Sequence, residues 1–296
     1  MQIIKSIEEM QSVSGKLKAI GKTISFVPTM GYLHEGHAGL IKRSRELADV
    51  VIASVFVNPT QFGPNEDFDK YPRDLERDSK IAESAGCDYL FHPTVSEMYP
   101  RGFGSGIIVS GVTEVLEGEK RPGHFDGVAL VVAKLFNAVM PDIAVFGQKD
   151  YQQTLVIKKM VRDLNFPIKI VIAPTVREAT GLAMSSRNSY LDPTQRERAS
   201  IIFHALEEAR KAVSKGTHER KVLNAIILNK LRSVQEIKID YVATALAETL
   251  EQPDSFLPGE KIVFLVAAFF GRTRLIDNAL ATIPDDPNVK KFVEGI

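Results

Sequence analysis

Short apolar runs alternate with segments of helical periodicity through the first 175 residues of the chain. One of these runs, Val51–Val57, carries an apolar side chain at almost every position, which is typical of a strand buried on both faces. Such strands, separated by helices, predict a Rossmann-like, doubly wound α/β fold with a parallel sheet. We expect strands at Thr23–Val27, Val50–Val57, Tyr89–Phe91, Ile107–Val109, Asp142–Phe146 and Ile168–Ile172, and helices at Ala38–Ala48, Asp74–Ala85, Val128–Val139 and Gln152–Leu164.

The pattern changes after about residue 175. A helix is expected to begin near Asp192, because aspartate caps a helix well and the proline that follows fits its first turn. We therefore expect two domains, a Rossmann-like domain over residues 1–175 and a smaller α+β domain over residues 176–296. In the second domain, helices are predicted over Thr194–Lys215 and His218–Val234, and strands over Ile237–Val242 and Lys261–Phe270.

The composition narrows the class of partner. Lys+Arg and Asp+Glu each number 37, so the chain as a whole has no basic excess for a nucleic acid or an anionic membrane. The single cysteine, Cys87, excludes an intrachain disulfide and favours a reducing, cytoplasmic setting. The N-terminus lacks the apolar core of a signal peptide, and no apolar run approaches the roughly 20 residues that span a bilayer. We expect a cytoplasmic protein whose partners are neither nucleic acids nor membranes.

Polar segments follow three of the predicted strands at the point where each strand ends. They are Pro28–His37, Asn58–Gln61 and Gly147–Asp150. Because ligands of parallel sheets bind beyond the carboxyl ends of the strands, these segments are expected to share one site. His34 and His37 lie where a predicted strand ends and a predicted helix begins. The first backbone N–H groups of a helix are unpaired and attract phosphate. The pattern indicates a binding site for the phosphate of a nucleotide.

Each of these motifs also has a simpler interpretation. The histidines could be a structural pair or metal ligands, although a zinc site needs about three protein ligands and the remaining histidines show no matching spacing. Gly147–Asp150 could be a polar turn that caps the next helix through Asp150, or could place the Lys149 charge on phosphate oxygens, and both could hold. Met184–Arg187 could be a loop at a domain boundary, or a phosphate clamp of two hydroxyls and a guanidinium.

Taken together, His34–His37 and Met184–Arg187 resemble the nucleotidylyltransferase superfamily, in which a His-x-Gly-His motif and a Lys-Met-Ser-Lys-Ser-like motif hold ATP. Longer stretches are similar to the pantoate–β-alanine ligase (pantothenate synthetase) family and extend to Arg274–Asn278, nearly the whole chain. They are Pro28–His37, Phe56–Phe62, Arg121–Phe125 and Phe146–Gln153. The resemblance implies that pantoate and β-alanine are joined at the expense of ATP, with Mg²⁺, through a pantoyl adenylate that releases AMP and pyrophosphate. It also implies a homodimer and a C-terminal lid domain.

The resemblance assigns roles to the matching positions. It implies an ATP site at Met30, Gly31, Tyr32, Leu33, His34, Glu35, Gly36, His37, Gly147, Gln148, Lys149, Asp150, Val176, Met184, Ser185, Ser186 and Arg187. The implied catalytic residues are His34, His37, Lys149, Ser185, Ser186 and Arg187, with His37 as proton donor. Pantoate is implied at Gln61 and Gln153, with Asn58, Arg121 and His124 at the border of its pocket. Mg²⁺ is implied mainly on the ATP phosphates, with Asp78 as one candidate protein ligand.

Two other classes of function stay open at this point. A different nucleotidylyltransferase would transfer the adenylyl group to a phosphate-bearing acceptor, but two glutamines suit hydroxyls and a carboxylate better than a phosphate. An RNA-binding module of the aminoacyl-tRNA synthetase type would share both ATP motifs, but the neutral net charge and the short C-terminal region weigh against it. The polar segment Gln61–Arg73 is either a surface loop or a flap over the adenylate.

Overall fold

A computed structural model describes residues 1–64, 66, 68–235 and 237–285. Six strands form one sheet in the order β1-β4-β3-β2-β5-β6, and every neighbouring pair is parallel. The order runs outward from β2 in one direction and then from β5 in the other, so the doubly wound sheet is confirmed. The strands are β1 (Gln2–Ile4), β2 (Ile24–Thr29), β3 (Val50–Val55), β4 (Tyr89–Phe91), β5 (Ile143–Gly147) and β6 (Lys169–Ala173).

Helices cover both faces of this sheet. Among them, α1 contacts α6 and α6 contacts α7, whereas α2 contacts α3. Phe26 of β2 meets Phe136 of α6 edge to face on one side, and Val27 packs with Ile41 of α2 on the other. Alternate residues of β2 are therefore buried on opposite faces, as the near-continuous apolar runs predict. The helices are α1 (Ile7–Ala19), α2 (Glu35–Arg45), α3 (Leu75–Ser84), α4 (Val95–Met98), α5 (Glu117–Lys120), α6 (His124–Val139) and α7 (Tyr151–Asp163).

Two local predictions differ from the structure. The segment Ile107–Val109 forms no strand, because it finds no ladder partner among the described residues, and Ile108 is 80% exposed. The edge strand β1 was not predicted, since its three residues give too short a pattern to recognise. It pairs with β4, and the helix α1 that follows begins at the cap Ser6, whose side chain accepts a hydrogen bond from the Glu9 N–H. The sheet therefore has an unanticipated first strand and lacks the one expected near residue 108.

The chain divides by its contacts into two compact units. The first comprises Met1–Val176 and Met184–Ser186, and the second comprises Arg177–Ala183 and the residues from Arg187 onward. The domain boundary that the sequence suggests between residues 175 and 176 stays a prediction. In the described part of the chain, no helix combines the length and the apolarity needed to cross a membrane.

The second unit contains a three-stranded antiparallel sheet, which confirms the smaller α+β region. Its apolar core packs Leu206 and Leu223 from two helices against Phe264 of the central strand. The single helix expected over Thr194–Lys215 is broken at Ser200, and the last strand was not predicted because charged residues interrupt its apolar pattern. The elements are α8 (Pro193–Ala199), α9 (Ile201–Ser214), α10 (Arg220–Leu231), β7 (Ile237–Leu246), β8 (Lys261–Phe270) and β9 (Thr273–Thr282).

Candidate active site

Two of the predicted ATP segments leave the sheet from neighbouring strands. Residues 30–37 follow β2, and Gln148–Asp150 follow β5, which pairs with β2 in parallel. The order of the strands extends from β2 toward one edge of the sheet and from β5 toward the other. The two segments therefore flank the crevice of a doubly wound sheet. The fold therefore brings the predicted histidine and lysine motifs to one place.

His34 and His37 cap the start of helix α2. The His34 Nδ1 atom accepts a hydrogen bond from the Gly36 N–H at 3.1 Å, and the His37 Nδ1 atom accepts one from the His34 N–H at 3.4 Å. The two ring centroids are 4.1 Å apart. Gly36 is needed here, since a Cβ atom on it would lie 2.8 Å from the His34 ring. The expectation of open N–H groups at the helix start is thus wrong at His34 and Gly36, because the imidazoles themselves occupy these donors.

These hydrogen bonds fix the tautomer of both rings. A nitrogen that accepts from a backbone N–H carries no proton, so each neutral ring holds its proton on Nε2. Burial, followed by the charges of Lys149 and Arg77, lowers the pKa of His34 to about 4. Burial also lowers the pKa of His37 well below its ordinary value, with contributions from His34 and Lys149. Each imidazole is therefore a neutral hydrogen-bond donor through Nε2–H near pH 7. Its Nδ1 accepts a backbone N–H at the helix start, and its Nε2–H is the donor that remains for a ligand.

Acid should destabilise this protein through its buried histidines. His34 and His124 both have a pKa of about 4, well below the ordinary 6.5 of an exposed histidine. Between these values the unfolded chain binds more protons than the folded one, so the free energy of unfolding falls as the pH falls. Urea unfolding at about pH 7 and about pH 5.5, a range above the titration of most carboxylates, measures the loss. A His124→Gln variant should lose less stability over this range, and an equal loss would contradict the assignment.

Lys149 stands beside the histidines at the end of β5. Its positive charge contributes to the lowered pKa of both His34 and His37. Its Nζ atom lies 3.6 Å from Asp150 Oδ1, and its side chain is 20% exposed. Asp150 is the N-cap residue of α7, as the capping interpretation expects, although its side chain makes no capping hydrogen bond. A cation and two neutral N–H donors thus share the crevice.

Part of the predicted serine clamp lies against the histidine loop. The Ser186 hydroxyl donates to the Tyr32 carbonyl at 3.3 Å, and Met184 approaches within 3.8 Å of the position that a Cβ on Gly36 would take. The Met184 N–H donates to the Val176 carbonyl at 2.9 Å. Met184, Ser185 and Ser186 belong to the first compact unit, whereas Arg187 belongs to the second.

The chain just before this clamp is anchored within the second unit. Arg177 forms a two-pronged ion pair with Asp277, with N–O distances of 2.6 and 3.0 Å, and its guanidinium also donates to the Gly181 carbonyl. Gly181 has φ +93°, and a Cβ there would lie 2.2 Å from the Phe203 ring. The ion pair gives Asp277, within the motif Arg274–Asn278, a structural role that the sequence did not suggest.

Gln61 is held from two sides at the end of β3. Its Oε1 atom accepts from Asn58 Nδ2 at 3.2 Å, and its carbonyl accepts from His124 Nδ1 at 2.9 Å. Among the described residues, the amide nitrogen of Gln61 meets one weak acceptor, the Met30 sulfur, at 3.0 Å. Its N–H groups therefore keep most of their capacity for a ligand. Asn58 is buried and also accepts from the Tyr99 hydroxyl at 2.8 Å.

Arg121 and His124 are engaged with protein groups. Arg121 donates to both carboxylate oxygens of Glu66, at 2.7 and 2.6 Å, and to His124 Nε2 at 3.0 Å. Because a carbonyl only accepts and a guanidinium only donates, His124 is neutral with its proton on Nδ1. Burial, with the nearby Arg121 charge, lowers its pKa to about 4, in agreement. These two residues support the Gln61 backbone, and the sequence did not identify Glu66 as their partner.

The two adjacent glutamines of α7 differ in the hydrogen bonds that their side chains make. Gln152 is buried, accepts from the Glu117 N–H, and donates to the carbonyls of Val112 and Val115. In the described residues, no hydrogen bond holds the amide of the partly exposed Gln153. Gln153 is thus the glutamine with an amide available to a ligand, whereas Gln152 fixes the segment around residue 115.

The described residues contain no cluster of three or more His, Cys, Asp or Glu side chains that could hold a metal ion. Both oxygens of Asp78 are occupied, by the N–H groups of Tyr32 and Leu33. These observations fit a Mg²⁺ ion held by nucleotide phosphates, and do not fit one held by a protein cage.

Comparison with known proteins identifies the family. Residues 2–280 match the family model described as pantoate-beta-alanine ligase. A pantothenate synthetase from Acetivibrio thermocellus is 50% identical over 283 residues, and one from Moorella thermoacetica is 51% identical over 285 residues; each match covers 96% of this chain and all of the relative.

Solved structures agree with this result. Pantothenate synthetase from Thermus thermophilus is 44% identical with a TM-score of 0.89, over 96% of this chain and all of that one. Pantoate-beta-alanine ligase from Francisella tularensis, complexed with beta-gamma ATP and beta-alanine, is 36% identical with a TM-score of 0.77, over 95% of this chain and 97% of that one.

Proposed function

This chain belongs to the pantoate–β-alanine ligase family and is an enzyme of that class, and we propose that it works through a pantoyl adenylate, with AMP and pyrophosphate as the other products. The observation that carries the proposal is the pair of neutral Nε2–H donors beside the Lys149 cation at one strand edge. Such a group binds and polarises a triphosphate without forming a covalent bond to it. Cys87, the one cysteine, is buried, and burial raises its pKa to about 12, so it is no nucleophile.

The first step forms an acyl phosphate bond. A carboxylate oxygen of (R)-pantoate attacks the α-phosphorus of ATP, and the bond from that phosphorus to the bridging oxygen breaks. Pyrophosphate leaves with the electron pair. The β-alanine amine then attacks the pantoyl carbonyl, AMP leaves with the electrons of the carbon–oxygen bond, and the amine loses its proton. Positioning and charge stabilisation supply the catalysis, because no protein atom enters a bond.

His34 and His37 act as hydrogen-bond donors to phosphate oxygens in this proposal. A neutral imidazole that gave up its Nε2 proton would become an imidazolate, which is unfavourable near neutral pH. Donation of a hydrogen bond, without transfer of the proton, therefore suits His37 better than the role of proton donor. Lys149 adds a full positive charge where the pyrophosphate develops negative charge, and Ser185 and Ser186 belong to the same nucleotide site. The role that the sequence suggests for Arg187 stays a prediction.

Gln61 and Gln153 are proposed to hold pantoate. Within the described residues, the amide nitrogen of Gln61 contacts a thioether as its one acceptor, and the Gln153 amide has no hydrogen bond. Pantoate offers two hydroxyls and a carboxylate, which match amide donors and acceptors. Asn58, Arg121 and His124 support this pocket through Gln61, by the contacts described above.

Mg²⁺ is proposed to enter with ATP, bound to its phosphate oxygens. When bound there, the cation neutralises phosphate charge and favours departure of pyrophosphate. His34, His37 and Lys149 are the residues that we propose receive the nucleotide phosphates.

Isotope exchange tests the proposed reaction. With pantoate present and β-alanine absent, the enzyme should exchange labelled pyrophosphate into ATP, since adenylate formation is reversible. Added RNA should have no effect. Exchange that proceeds without pantoate would refute the proposal, because it would require another acceptor.

We also propose that the enzyme is a cytoplasmic homodimer. The segment Ile107–Val109 forms no ladder in the described residues, and Ile108 is 80% exposed, so we propose that this apolar position meets a second copy. Light scattering after gel filtration should give twice the 32.7 kDa mass of one chain. An Ile108→Asp variant should shift toward the single-chain mass, whereas Val95→Asp, at another exposed apolar position, should not.

A further inference from the structure

A buried carboxylate lies directly behind the histidine loop. Asp78 on α3 is 1% exposed, and its two oxygens accept from two successive backbone amides, Oδ2 from Tyr32 at 2.8 Å and Oδ1 from Leu33 at 2.6 Å. Hydrogen bonds to a charged acceptor are about twice as strong as neutral ones. A residue remote in sequence therefore hydrogen-bonds the two backbone amides immediately before His34.

These hydrogen bonds stabilise a loop whose backbone is in an unfavourable conformation. Tyr32 has φ +51°, in the left-handed region that side chains other than glycine rarely adopt. Gly31 has φ +90°, and a Cβ there would lie 3.0 Å from Asp78 Oδ2 and 2.8 Å from Val55 Cγ1. The turn is thus pressed between the carboxylate and β3, and the Asp78 hydrogen bonds hold it in this form.

This arrangement also determines which groups remain for phosphate. The N–H groups of Tyr32 and Leu33 point at Asp78, and those of His34 and Gly36 point at imidazole nitrogens. The loop consequently presents imidazole Nε2–H groups to an anion in place of these four amides. The direction of both rings depends on where residues 32 and 33 place the backbone of His34.

We propose that Asp78 is a positioning residue for ATP, which acts through the amides of Tyr32 and Leu33 to hold His34 and His37 in the geometry that receives the phosphates. The inference rests on the proposed function, since it deepens the role of the same site. A magnesium ligand would need a carboxylate oxygen directed at the nucleotide, whereas both Asp78 oxygens face backbone amides.

Substitution by asparagine tests this role. Asp78→Asn keeps the shape but places an NH₂ group against one of the two amides, so the loop loses a charged hydrogen bond and gains a donor–donor contact. We expect the KM for ATP to rise by about 10–100-fold, with a smaller change in kcat, because Nε2–H donors are displaced and not removed. The matched control is Asp74→Asn on the same helix. Asp74 caps α3 through the Arg77 N–H, and asparagine caps equally well, so this variant should behave as the wild type.

Amide NMR of the wild-type protein tests the contacts without a variant, and serves if Asp78→Asn fails to fold. The Tyr32 and Leu33 amide protons should resonate downfield, exchange slowly with solvent, and keep both properties when ATP and Mg²⁺ are added. Loss of these signatures on addition of Mg²⁺ with ATP would overturn the proposal and make Asp78 a metal ligand. An unchanged KM for ATP in folded Asp78→Asn would also overturn it.

The outcomes separate this inference from the proposed function. If the wild type shows no pantoate-dependent pyrophosphate exchange, the adenylate mechanism fails. ATP affinity of Asp78→Asn, measured by titration calorimetry, then still decides the positioning role.

Discussion

Replacement of Lys149 by alanine is expected to slow pantoate-dependent adenylate formation by about 10²–10³-fold, since a charge aimed at a developing phosphate anion contributes several kcal/mol to the transition state. Lys149 leaves β5 beside both histidines, whose pKa values its charge lowers. The rate is measured as pyrophosphate exchange at saturating ATP and pantoate. Stability should change little, because the ion pair with Asp150 is long and partly exposed.

The matched control for this variant is Lys159→Ala. Lys159 lies on the helix that follows Lys149 and pairs with Asp163 at 2.7 Å, so its removal deletes the same charge and a shorter ion pair at another position of the same segment. Its exchange rate should stay near that of the wild type. If Lys149→Ala unfolds at lower temperature and retains its rate, Lys149 is part of a structural turn and the electrostatic role is wrong.

Replacement of His37 by alanine is expected to lower the same rate by about 10²–10³-fold, because it removes the Nε2–H group that we propose as a donor to the nucleotide phosphates. The informative companion is His37→Gln, whose amide nitrogen can take the place of Nε2. If His37 donates a hydrogen bond without transferring its proton, glutamine should restore about tenfold of the lost rate. If His37 is a general acid, glutamine should be as slow as alanine.

The pH profile gives a second measure of the same point. Because burial lowers the pKa of His34 to about 4 and that of His37 well below its ordinary value, kcat/KM for ATP should show no histidine titration between about pH 6 and 8. A decline with a midpoint near pH 6.5 that disappears in His37→Gln would contradict the neutral-donor role. His204→Ala is the control, since that histidine is exposed on α9 in the second unit.

The sheet could be predicted from the sequence because buried parallel strands leave a strong local signature. The predicted strand Tyr89–Phe91 matches the observed bounds, and the other predicted strands of the first region, apart from Ile107–Val109, lie within two residues of theirs at each end. That segment has a strand-like sequence but no neighbour to pair with among the described residues, which no local pattern can reveal. The helix α2 begins three residues earlier than predicted, because His34 caps it in a way that propensity does not anticipate.

The motifs of the site could be predicted from the sequence, but the residues that hold those motifs in place could not. Motif spacing identified His34, His37 and Lys149, and their placement just after two neighbouring strands follows from the fold class. The partners Asp78 and Glu66 come from segments remote in sequence from the groups they hold, and an acidic residue on a helix or loop looks like any solvated charge. The ligand roles assigned to individual residues stay predictions.

The most direct measurement of the central claim follows one oxygen atom. Pantoate labelled with ¹⁸O in its carboxylate is converted with ATP and β-alanine, and the AMP is analysed by mass spectrometry. Attack on the α-phosphorus places a carboxylate oxygen on that phosphorus, and displacement by the amine leaves it there, so the AMP should carry one ¹⁸O per turnover. Unlabelled AMP, with the label in inorganic phosphate or pyrophosphate, would contradict the account.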